Sequence, residues 1–159
     1  MIDRKIFNVV IILLIISLIT NILLFVSYSS KLRKVEIENE ISEYVMAIET
    51  SNDTLEIHSF YETQLNKNLI TENDLSSNYQ ELIDIHNHLI ATLSKIETKN
   101  TFEIRDLTIL LINDRKKAFE NFKSAIDLNS SNYKNVAENL ITNSEKYKTE
   151  IETKINNIK

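Results

Sequence analysis

The sequence predicts an all-α protein, an N-terminal transmembrane helix followed by an antiparallel up-down four-helix bundle. Three observations carry this. None of the 159 residues is Gly or Pro. An uncharged apolar run fills residues 6–28. Beyond residue 30, apolar residues recur at intervals of three and four between short polar clusters. Hairpin turns favour Gly, Asn or Asp at positive φ, and a sheet protein needs many of them. A chain rich in Leu, Ile, Glu and Lys, with nothing to break a helix, reads as helical throughout. Asn then takes over the left-handed positions at helix ends.

The run from Ile6 to Tyr28 makes a helix about 34 Å long, enough to cross a hydrocarbon core of about 30 Å. A cleaved signal peptide has a shorter apolar region and a small-residue cleavage site. Ser27-Tyr28-Ser29 is a poor imitation of one, so the run reads as a retained anchor. The chain has no Cys, which excludes disulfides and a lipid-modified cysteine. Arg4, Lys5 and the terminal amine precede the run, and Lys31, Arg33 and Lys34 follow it, so flanking charge does not set the orientation. Long following domains translocate largely regardless of charge. The expected order is a cytoplasmic tail at 1–5, the span at 6–28, a juxtamembrane stem at 29–40 continuous with the first bundle helix, and an extracytoplasmic bundle at 41–159.

The bundle helices follow from stripes and caps. The first should run from Lys31 to about Asn66, with Ile37, Ile41, Tyr44, Ile48 and Leu55 in one frame. The stripe then shifts toward Ile57, Phe60, Tyr61 and Leu65, a shift that a kink or short break near Asn52 would absorb. The second carries Leu75, Tyr79, Leu82, His86, Leu89, Leu93 and Ile96, entered through Thr71 with Asp74 three residues on. The third carries Ile104, Leu107, Leu111, Ala118, Phe122 and Ala125, with Asn100 and Glu103 as a capping pair. The fourth carries Tyr133, Ala137, Leu140, Ser144, Tyr147 and Ile151. Such broad stripes suit helices that each touch two neighbours.

Few residues offer chemistry. His58, His86 and His88 are the histidines, and none has the Glu three residues before it that di-metal bundles use. His86 sits on the seam of its helix and His58 near an inward face, so both read as core histidines and candidate pH or ligand contacts. Ser51, Ser144 and Arg115 also fall on seams, where they would set register or line a small cavity. The cluster Asp114-Arg115-Lys116-Lys117 otherwise reads as a solvated face. Within the span, Ser17, Thr20 and Asn21 share a face that could bond a partner span. Tyr28, Lys31, Arg33 and Lys34 suit headgroup contact.

From residue 31 the chain carries 16 basic and 22 acidic residues, a net charge of −6 that argues against nucleic acid as a partner. Without glycine there is no phosphate-binding loop, and no nucleophile–base or metal motif stands out. No cofactor and no enzymatic activity are expected. The expected partners are the lipid bilayer and a protein, either a different chain or a second copy. The leading expectation is a single-pass interaction or scaffold module of the cell envelope. The layout of one span followed by four helices also resembles the sensory module of bacterial chemoreceptors and some histidine kinases, a likeness of architecture without diagnostic residues. That resemblance implies a ligand-sensing bundle. Such receptors have a second span leading to a cytoplasmic output, which this sequence does not contain, so sensing would run through a partner membrane protein.

Overall fold

A computed structural model describes residues 4–98 and 101–158, with side chains from Ile16 onward. Among the described residues there are four helices and no strand: α1 (Arg4–Asn66), α2 (Glu72–Leu93), α3 (Phe102–Asp127) and α4 (Ser131–Ile158). The chain forms two compact units, residues 1–39 and residues 40–159.

In the first unit every described side chain from Ile16 to Glu36 is exposed. Among the described residues no helix is long and apolar enough to cross a membrane. The expected span over 6–28 lies partly outside them. Its residues 6–15 belong to the α1 backbone but not to the described side chains, and neither do those of the expected tail. The described remainder, 16–28, is 13 residues, short of the roughly 20 a spanning helix needs.

The second unit is a helical bundle whose neighbouring helices run in opposite directions. Ser76, near the start of α2, donates to Asp127 at the end of α3 at 2.7 Å, and Glu103 at the start of α3 pairs with Lys154 late in α4 at 2.8 Å. Lys134 of α4 pairs with Glu62 of α1 at 3.2 Å. The core runs through Leu75, Tyr79, Leu82 and Ile83 of α2, Ala118, Phe119 and Phe122 of α3, and Ala137 of α4. Each large apolar side chain removed from water contributes roughly 1.5–3 kcal/mol. The Tyr79 and Phe122 rings stack at 5.8 Å with planes 16° apart.

Helix ends follow their local chemistry. Thr71 caps α2 in a reciprocal box: its hydroxyl accepts from Asp74 N at 3.2 Å, and the Asp74 carboxylate accepts from Thr71 N at 2.8 Å. The Thr71 hydroxyl, which donates to the Asp74 carboxylate at 2.7 Å, and the Thr71 N–H hold that carboxyl below its ordinary value. Both described turns between helices close on an Asn in the left-handed region, Asn68 (φ 56°) after α1 and Asn129 (φ 49°) after α3. Around them the carbonyls of Leu65, Gln64, Ile126 and Ala125 are taken up in the paired pattern that ends a helix on a left-handed residue.

The structure decides one point that the sequence left open and corrects another. First, α1 does not break near Asn52; it is helical through Asn66. The apparent shift came from counting apolar residues alone. Ile57 and Phe60 face solvent, at 36% and 57% exposure, while Ser51 and Thr54 are buried and His58 is largely buried. The inward stripe therefore continues unbroken as Tyr44, Ala47/Ile48, Ser51, Thr54/Leu55, His58, Tyr61 and Leu65. Second, the cap of α3 is Thr101, and its side chain makes no cap bond. Asn100 lies outside the described residues. The Thr101 hydroxyl is used instead to bond Tyr44 and Glu40 of α1.

Replacing Asn129 by Ala should cost about 1 kcal/mol of stability, because a Cβ without a local hydrogen-bonding group is penalised in the left-handed region. Asn129→Gly should be close to neutral. Thermal unfolding followed by circular dichroism would compare the two.

Candidate functional site

The centre of the bundle holds a charged side chain. Arg115 of α3 is fully buried, and its guanidinium crosses the core to reach three hydroxyl or carboxylate partners. Nε donates to Ser144 Oγ at 3.1 Å, Nη1 to Ser51 Oγ at 3.0 Å, and Nη2 to Glu145 Oε1 at 2.7 Å. Ser51 Oγ also lies 3.0 Å from His86 Nε2, and His86 Nδ1 lies 2.8 Å from Leu82 O. One residue cluster thus joins α1, α2, α3 and α4.

Its proton directions follow from valence. The Leu82 carbonyl can only accept, so His86 carries its proton on Nδ1 and presents a lone pair at Nε2. Ser51 must then donate to Nε2, which leaves its own lone pairs to accept from Arg115. Ser144 accepts from Arg115 and donates to Ile141 O at 2.7 Å. The relay runs from Arg115 through Ser51 and His86 to a backbone carbonyl, and in parallel through Ser144 to another. The positive charge is balanced at Glu145, which is 48% exposed and stays in touch with water. Burial lowers the Arg115 pKa and Glu145 opposes that, leaving a guanidinium that remains charged. Among the described residues, no buried side-chain polar atom lacks a partner.

Phe119 links this relay to a second cluster. The His86 ring meets it edge-on at 5.2 Å, and the His58 ring does the same at 6.0 Å. His58 stacks on Phe122 at 4.4 Å, and its Nδ1 lies 3.0 Å from Tyr79 Oη. Its Nε2 is 3.9 Å from Glu62. Burial lowers the pKa of both histidines. For His58 the Glu62 carboxylate opposes the shift. For His86 the Leu82 bond opposes it, while Arg115 and Lys116 reinforce it, and the value falls to about 4.

At one end of the bundle a cleft of about 340 Å³ opens to solvent. Tyr79 and Phe122 lie beneath it, and Glu62, Glu72, Asn129 and Lys134 stand at its rim. At the other end, Thr98 and Thr101 donate to the Glu40 carboxylate, and the Tyr44 hydroxyl lies 3.0 Å from Thr101.

The residues singled out in the sequence are therefore distributed as follows. His58 and His86 share one core but do not touch; Phe119 stands between them. His88 is exposed on α2. Ser51, Ser144 and Arg115 come together, but bonded to one another rather than around a cavity. The solvated-face reading of residues 114–117 fails for Arg115, whose neighbours remain at least partly accessible. In the first unit Ser17, Thr20 and Asn21 are exposed, and the Thr20 hydroxyl donates to Ile16 O at 2.9 Å. Tyr28, Lys31, Arg33 and Lys34 are exposed too, with Lys34 3.8 Å from Glu38. Sequence reasoning missed Glu145. A basic residue on an apolar stripe demands a carboxylate, and Glu145 stands next to the seam residue Ser144. No clusters of acidic, His or Cys side chains suited to a metal ion occur among the described residues.

Ser51→Ala strips both Arg115 Nη1 and His86 Nε2 of a partner and should cost about 2–6 kcal/mol, since each orphaned buried group costs about 1–3. On top of His86→Leu the loss should fall to roughly half, because only Arg115 Nη1 is then orphaned, a coupling that a double-mutant cycle in chemical denaturation would measure. Because folding lowers the His86 pKa from 6.5 to about 4, the unfolded chain binds the proton more tightly. Its contribution is complete above pH 6.5 and declines as the pH falls toward 4, by up to about 3 kcal/mol. His58 acts in the same direction. Unfolding free energies at pH 7.5 and 4.5 should differ accordingly, and His86→Gln should shrink the difference.

No protein-family model, curated protein or solved structure matches this chain.

Proposed function

We propose that this chain is a single-pass, membrane-anchored interaction or scaffold module of the cell envelope, with residues 6–28 as the anchor and an antiparallel up-down four-helix bundle on the extracytoplasmic side. It is not an enzyme in this reading. The observation that carries it is the uncharged run itself, whose described part exposes apolar side chains around the whole helix: Ile16, Leu18, Ile19, Leu23, Leu24 and Val26 are each more than half exposed. A helix that is hydrophobic on every side belongs in lipid or inside protein. The relay at Arg115 supports a rigid module, because one hydrogen-bonded cluster ties four helices to a single register.

A ligand-sensing bundle acting through a partner membrane protein is the second reading. The solvent-open cleft above Tyr79 and Phe122 favours it, since pockets of about 300–1,000 Å³ accommodate small molecules.

The full chain should stay with membranes after an alkaline wash. Ile16→Arg combined with Leu18→Arg should release it, each Arg costing about 2.5–3.5 kcal/mol near the middle of a span. A reporter fused after Lys159 should read extracytoplasmic; a cytoplasmic reading would sink the envelope assignment. Saturable thermal stabilisation of the detergent-solubilised chain by a small molecule would favour sensing over scaffold.

A further inference from the structure

The first unit of α1 carries a face that its own chain leaves uncovered. At about 100° per residue, Ser17, Asn21, Leu24, Tyr28, Leu32 and Val35 fall within an arc of about 80°. All six are exposed, with Leu32 and Val35 at 47% and 53%. The charged residues between 29 and 39 (Lys31, Arg33, Lys34, Glu36 and Glu38) all fall at least about 60° from the midline of that arc. An uncharged stripe therefore passes through the most charged stretch of this unit. Lipid tails account for Leu24. They do not account for Leu32 and Val35, which lie beyond the apolar run among charged residues, and they suit Asn21 badly.

Asn21 decides what kind of partner fits. If residues 6–28 span the bilayer, Ser17 is the midpoint and Asn21 lies about 6 Å from it, inside the hydrocarbon. The Thr20 hydroxyl is satisfied by Ile16 O. Among the described residues Asn21 has no such partner, and an amide without one in hydrocarbon is costly. A carboxamide carries both donor and acceptor, so two identical Asn side chains facing each other across a two-fold axis satisfy one another. With no charge on the stripe, the same symmetry brings no like charges face to face.

We infer that two copies of this chain pair in parallel along the stripe from Ser17 to Val35, with Asn21 bonded to its counterpart. This rests on the membrane-anchor reading and adds the partner to it. The natural absence of cysteine makes single-cysteine scanning clean. In alkaline-washed membranes containing the full chain, oxidation should cross-link Leu24→Cys and Val35→Cys into homodimers, and should leave Ile19→Cys and Val26→Cys, on the opposite face, largely monomeric. Asn21→Val should weaken dimerisation in detergent between about three- and thirty-fold, and Asn21→Gln should restore it. Cross-linking that is absent, equal on all faces, or directed to a chain of another mass would overturn the pairing while the anchor stands. A chain that washes out of the membrane would overturn the anchor and the pairing with it, and extraction alone reveals that outcome.

Discussion

A guanidinium without water must be given its hydrogen bonds by the protein, and in this bundle that requirement governs the arrangement of the helices. Taking the Arg115 charge out of solvent costs several kcal/mol unless its donors are occupied. Ser51, Ser144 and Glu145 occupy them, and Ser51 is in turn oriented by His86. Sliding any helix by one turn would displace its contribution by about 5.4 Å, far beyond hydrogen-bonding reach. An apolar core of Leu and Ile tolerates small register errors. This one does not, because an error leaves a buried charge unpaired.

The rest of the bundle is arranged around that centre. On one side lies the aromatic layer of Phe119, Phe122 and Tyr79, into which His58 is stacked. On the other, Tyr44, Thr98, Thr101 and Glu40 bind α1 to the connection between α2 and α3. Both histidines are held neutral by burial, and the relay works only with His86 neutral, since a proton on Nε2 would remove the acceptor that Ser51 needs. A core specified this tightly suits a module that presents a fixed surface more than one that must change shape to act.

Much of this architecture was legible in the residues. Helices without Gly or Pro, Asn at the left-handed turns, the Thr71–Asp74 box and the end of α1 at Asn66 all follow from local chemistry. Their causes lie within four or five residues of one another. Two points were left open by the residues, and both turned on polar side chains. Counting apolar residues alone shifts the stripe of α1 near Asn52, whereas Ser51, Thr54 and His58 carry the seam through without a break. Arg115 read both as a seam residue and as part of a solvated charge run, and burial decides for the seam. Polar residues go inside when partners on other helices meet them, and those partners stand between 29 and 64 residues away from Arg115 or Ser51 in the chain.

By itself, then, the sequence determined that the chain is helical, where the helices turn, and that one end carries an uncharged apolar run, since propensity, turn conformation and hydropathy are properties of neighbouring residues. Only the tertiary structure decided which seam polar side chains bond to one another, and that Thr54, Thr101 and Thr108 are buried with them. It assigned the His86 proton, made Glu145 the counterion, and spent the Thr101 hydroxyl on α1 rather than on its own helix. Each of those outcomes depends on donors and acceptors brought within about 3 Å across helices, and linear order says nothing about that distance.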